Sequence, residues 1–167
     1  MAYADDLLEL AKHLASLEPV NPRQACLRRS VSTAYYALFH LLISEATLNW
    51  GRPELRSELG RVFGHGKMKS ASEGKRAELE AHFKKHPAPS PELASLKHLH
   101  RVAQTFIQAQ QKREEADYDT GTEWNQTSVQ KQIDAVAAAF ESWKAIREEP
   151  AAQAYLVSLL GRRPRPE

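Results

Sequence analysis

Between Thr127 and Trp143 the large apolar residues fall at Val129, Ile133, Val136, Phe140 and Trp143, in steps of four, three, four and three. That spacing places five side chains on one face of an α-helix and would scatter them over both faces of a strand. A stripe of this kind must be buried against other elements, and the rest of the chain offers only further helical stripes. Leu7, Leu10, Ala11, Leu14 and Leu17 repeat with helical spacing before Pro19 closes the segment. Asn21, Pro22 and Gln24 sit at the offsets of an N-cap, an N1 proline and a capping-box glutamine, and predict a helix reaching Trp50 and Gly51. Its core stripe reads Leu27, Val31, Tyr35, Leu38 and Leu42, with small residues at Cys26, Ser30, Thr33, Ala37 and Ser44 on a neighbouring face.

PELRSELGRVF predicts a short helix stopped by Gly64 and Gly66, so that His65 to Met68 reads as a C-cap and turn. From Ser70 to His86 the pattern is poor, and a partly mobile excursion is expected there. Ser90 and Pro91 start a long helix with Leu93, Leu96, Leu99, Ala103, Phe106 and Ile107, running as far as Tyr118. Thr127 and Gln130 form a second capping box, and Pro150 opens a last small helix with Tyr155, Leu156, Leu159 and Leu160 before Gly161. No segment has strand period, internal repeat or low complexity. The expectation is an all-α protein, a bundle of four to five main helices with short additional helices, forming one domain over residues 1–161 with a basic tail over 162–167.

Composition narrows the function classes. Of 167 residues, 42% are hydrophobic and 26% charged, enough for a core and far from the profile of a disordered chain. No run nears the roughly 18 apolar residues of a bilayer span, and MAYADDLLELAKHL begins with acids, so no membrane association and a cytoplasmic setting are expected. Cys26, the only cysteine, excludes an internal disulfide and a thiolate zinc cluster and reads as a small hydrophobe. The net charge of +2 resides in the tail, whose three Arg and one Glu account for the whole surplus. The remainder is near neutral, which argues against a broad phosphate-binding face.

Two segments carry chemistry. RRSVSTAYYALFHLL, Arg28 to Leu42, and QKREEADYD, Gln111 to Asp119, together resemble the HEPN superfamily of helical proteins. The resemblance is to the branch with an Arg-rich start, a Tyr-Tyr pair, a following Phe-His and a later Arg-x-x-Ala-Asp-Tyr near a helix end. It implies a bundle of four or five helices, often a homodimer, linked to RNA, to toxin–antitoxin pairs or to antiviral defence. Active members of that family have an Arg and a His with four to six residues between them, which across the dimer form a metal-independent ribonuclease site. There the Arg would hold the scissile phosphate and the His would move the proton of the attacking 2′-hydroxyl.

This chain departs from that pattern. Four residues separate Arg113 from Tyr118, which stands where the resemblance expects His. A phenol with an ordinary pKa near 10 is a poor general base at neutral pH. Arg76 and His82 have a permitted spacing, but residues six apart on a helix point roughly 240° from each other. The leading expectation is therefore a non-catalytic binding module in an RNA-linked, toxin–antitoxin or defence complex, dimeric through the helices that begin at Asn21 and Ser90. The alternative is a metal-independent endoribonuclease using Arg113 and Tyr118 with His40 or His65. A further alternative is a structural partner of a nucleotidyltransferase.

Arg28, Arg29, Tyr35, Tyr36 and Asp117 are the expected RNA-binding or partner-binding residues. Tyr35, Tyr36, Phe39 and His40 invite base stacking, although their helical spacing also suits interhelical packing. Glu114, Glu115, Asp117, Asp119 and Glu123 lack the ligand order of a calcium loop, and neither metal nor cofactor is expected. Acids near a helix C-terminus oppose its dipole, so Asp117 and Asp119 call for compensation by Arg113 and by a cation from the Arg28–Arg29 segment.

Overall fold

The computed structural model describes residues 2–161; the expected basic tail lies outside them. Among the described residues every regular element is helical: α1 (Ala2–Ser16), α2 (Gln24–Leu48), α3 (Arg56–Gly60), α4 (His65–Lys85), α5 (Pro91–Tyr118), α6 (Gln126–Ile146) and α7 (Pro150–Ser158), with a 3-10 turn at Pro53–Leu55. Five of these are long and two short. No described helix is long and apolar enough to cross a membrane. The residues group into two compact units, one made of the chain up to Leu41 with Thr105–Glu141, the other of Leu42–Gln104 with the chain from Ser142 onward.

In the first unit the stripes behave as helical period demands. Leu27, Val31, Tyr35 and Leu38 of α2, Phe106 of α5, and Val129, Ile133, Val136 and Phe140 of α6 are all buried. The small face of α2 is used as well, since Ser30 is buried and its hydroxyl donates to the Ala11 carbonyl of α1 at 2.7 Å. The stripe of α1 is a correction. Ala4, Leu8, Ala11 and Ala15 are buried, while Leu10 and Leu17 stand exposed. Alanines win the inner position because a close helix approach leaves no room for leucine.

Both predicted capping boxes are also displaced. Helix α2 starts at Gln24, whose side-chain amide instead pairs with the backbone of Trp124, donating to its carbonyl at 2.7 Å and accepting from its N–H at 2.9 Å. Helix α6 is capped by Asn125, whose Oδ1 accepts the Ser128 N–H at 2.9 Å, two residues before the predicted Thr127.

The second unit holds the largest departure. The expected mobile stretch is the interior of α4, a continuous 21-residue helix, and Gly64 is its N-cap rather than a C-cap, with φ −114 and ψ 143. Only Met68, Ser72 and Leu79 of α4 are buried. One of those three is polar, which is why the stripe escaped the apolar pattern. Ser72 Oγ donates to the Met68 carbonyl at 2.7 Å, leaving its lone pairs to accept the Tyr155 hydroxyl of α7 at 2.8 Å. Arg147 holds Glu45 through a two-pronged pair, Nη2 to Oε1 at 2.8 Å and Nε to Oε2 at 3.1 Å. Gly161 closes α7 at φ +88, the left-handed conformation that favours glycine.

Candidate functional site

The two segments that carry the family resemblance meet in the first unit. Helix α5 has no basic residue in its last turn, so its terminal carbonyls need a cation from elsewhere. Arg28 of α2 supplies it. Its Nη1 donates to the carbonyls of Ala116 at 2.9 Å and Asp119 at 2.7 Å, and its Nη2 donates to the Thr122 carbonyl. One planar guanidinium thus gathers the end of α5 and the loop that follows, a task suited to a rigid fork of donors. The expected partner was an acidic side chain; backbone carbonyls take that place, that of Ala116 at the negative end of α5 and those of Asp119 and Thr122 in the loop beyond it.

Next along α2, Ser32 donates its hydroxyl to Asp117 Oδ2 at 3.2 Å, and Arg113 Nη1 approaches the same oxygen at 3.8 Å. Arg113 is 8% exposed. Its guanidinium carbon lies 5.3 Å from the centre of the Tyr35 ring and 5.9 Å from that of Tyr36. Two aromatic faces and one carboxylate therefore share a buried cation. Burial pushes the Tyr35 phenol well above its ordinary range, against an opposing pull from Arg113. Tyr35 is fully buried against Phe39 and Phe106, so its ring is a wall of the site rather than a surface for a base. Asp119 folds back on its own loop, accepting the Gly121 N–H at 2.9 Å and the Thr122 hydroxyl at 2.7 Å, and these bonds hold its carboxyl below the usual range.

Tyr118, at the end of α5, is 75% exposed, whereas Arg113 five positions earlier is buried. The two are on different sides of the helix, about 140° apart for five residues at 100° each. His40 is half-buried beside Tyr3, Tyr36 and Phe39, with ring centroids at 4.9, 6.5 and 5.3 Å. Burial lowers its pKa, favouring the neutral imidazole. His65 belongs to the second unit, in the first turn of α4. Arg29 is exposed on the outer face of α2. Among the described residues, no three His, Cys, Asp or Glu side chains gather as a cation site.

Ser32 and Tyr3 were not anticipated. Ser32 was within reach of sequence reasoning, since positions 28, 32 and 35 share a face of α2. Tyr3 was not, because its contact with His40 depends on how α1 packs on α2, which the period of neither helix fixes. Compared with known proteins, the chain matches no family model, no curated protein and no solved structure.

Proposed function

We propose that this chain is a HEPN-like, non-catalytic binding module acting in an RNA-linked complex of the toxin–antitoxin or antiviral defence kind. The observation that supports this reading is the Arg28 clasp on the Ala116, Asp119 and Thr122 carbonyls. It joins the two segments on which the family resemblance rests, and it commits three of that guanidinium's five N–H donors to backbone carbonyls. Arg113 is buried, with its guanidinium beside the Tyr35 and Tyr36 rings and 3.8 Å from Asp117. A ribonuclease of the metal-independent type needs an arginine open to the scissile phosphate and a base within reach of the same atom. Here the cation is buried while Tyr118, at the position of the base, stands in solvent. The resemblance carries with it a homodimer and, as a protein partner, an enzyme of nucleotidyltransferase type.

The test is incubation of the purified chain with total RNA in EDTA, followed by end-group analysis. The expected result is no fragment ending in a cyclic phosphate. Discrete fragments that disappear in Tyr118→Phe, an exposed substitution that leaves the fold intact, would overturn the proposal in favour of an endoribonuclease. Native mass spectrometry reads the dimer directly.

A further inference from the structure

On α2 in the first unit Arg29, Tyr36 and His40 lie in one row, with the buried Thr33 between Arg29 and Tyr36 at the same helical spacing. The burial pattern divides the aromatic run cleanly. Tyr35 and Phe39 turn inward, while Tyr36 and His40 remain partly accessible. Helix α1 adds a third ring to this row: Tyr3, 61% exposed, meets His40 edge-on at 4.9 Å with an interplanar angle of 66°. From Arg29 to His40 the row is eleven residues of helix, roughly 16 Å long.

Such a row combines an exposed cation at one end with three aromatic groups at the other. We infer that it is a docking strip for single-stranded RNA, with a phosphate on Arg29 and unstacked bases against Tyr36, His40 and Tyr3. This rests on the RNA-linked reading above and assigns it a place. The chemistry is that of sequence-tolerant single-strand binders, where bases lie on aromatic faces beside a backbone-tracking cation. Three further features suit it. Burial favours the neutral form of His40, which stacks without a competing hydration shell. The buried cation Arg113 lies 5.9 Å from the Tyr36 ring centre and helps to hold that ring in place. Thr33 is tied to the backbone, its hydroxyl donating to the Arg29 carbonyl at 2.7 Å, so the interval between cation and rings is free of a competing polar side chain. A double helix cannot use the strip, because its bases are already stacked on one another.

The experiment measures fluorescence anisotropy of a labelled single-stranded RNA decamer and of a duplex of equal length with the full chain, over a range of salt. Single-stranded RNA is expected to bind at least about tenfold more tightly than duplex. Tyr3→Ala and His40→Ala are each expected to weaken single-strand binding by about fivefold or more, with Tyr3→Phe restoring it. Arg29→Ala is expected to flatten the slope of log K against log salt by about 0.7, the value for one phosphate contact on a single strand. Lys131→Ala removes an exposed cation of the same unit outside the strip and is expected to change single-strand affinity less than twofold. If wild-type chain binds RNA but Tyr3→Ala, His40→Ala and Arg29→Ala bind as well as it does, the strip is wrong and the RNA-linked reading stands. If wild-type chain binds no RNA at concentrations near 100 µM, the weak end of non-specific binding, both are overturned.

Discussion

Arg28 shows how one side chain can hold two distant parts of a chain together without any acidic partner. Its three acceptors are the backbone carbonyls of Ala116, Asp119 and Thr122, the first buried and the second in an exposed residue. Truncation to alanine removes the charged donor from all three together. Because hydrogen bonds from a charged donor contribute about 1.5–3 kcal/mol, Arg28→Ala is expected to lower stability by about 2–3 kcal/mol in urea unfolding. Arg28→Lys retains the charge but offers one point donor in place of a fork, and is expected to recover about half of that loss. A lysine variant as stable as wild type would mean that charge alone, and not the fork, secures the end of α5.

His40 belongs to the same scale. Burial holds its folded-state pKa below the ordinary 6.5, so as pH falls below that value the unfolded chain takes up a proton before the folded one does. The contribution of His40 is therefore complete above pH 6.5 and declines as pH drops toward its folded pKa. His40→Phe keeps an aromatic ring beside Tyr3 and cannot titrate, so its stability is expected to fall less steeply between pH 7 and 5 than that of wild type. Parallel slopes in the two proteins would place the acid sensitivity elsewhere.

Among the elements, α4 separates what the sequence could tell from what it could not. Helices α2, α5 and α6 were legible because their buried positions are large and apolar, so period alone located their faces. Helix α4 buries one methionine, one serine and one leucine, and Gly66 in its first turn reads as a stop signal for the preceding helix. It is tied to α7 by a tertiary hydrogen bond, Tyr155 hydroxyl to Ser72 Oγ, that no local pattern encodes. The candidate site divides along the same line: the pairing of the Arg28 and Gln111–Asp119 segments was readable from residue types, whereas the roles of Tyr3 and of backbone carbonyls were not. Two measurements follow at this scale. A methyl group at Gly74 would meet nothing within 4 Å, so Gly74→Ala is expected to raise stability by about 0.5–1 kcal/mol through helix propensity. Ser72→Ala leaves the buried Tyr155 hydroxyl without its acceptor and is expected to cost about 1–3 kcal/mol. The double variant Ser72→Ala with Tyr155→Phe removes both partners and is expected to be more stable than the sum of the two single losses, a coupling that a double-mutant cycle reads directly.

At the scale of the whole molecule the governing quantity is charge. The formal surplus of +2 disappears when the three arginines and one glutamate of residues 162–167 are set aside, so the remainder carries equal numbers of acids and bases. A neutral body cannot attract a polyanion through its overall field, and selectivity for any nucleic acid must come from local arrangement. The two contributions separate experimentally because each leaves its own mark on the binding curve. Cations far from the bases act through counterion release, which depends on salt and ignores base stacking; aromatic rings depend on free bases and ignore salt. A chain ending at Gly161 is therefore expected to lose affinity at low salt and to show a slope of log K against log salt smaller by about 2, from three absent arginines at about 0.7 each. Its preference for single-stranded over duplex RNA is expected to persist. If truncation instead abolishes that preference, recognition resides in the basic tail, and the row from Arg29 to His40 is part of the packing between α1 and α2 and nothing more.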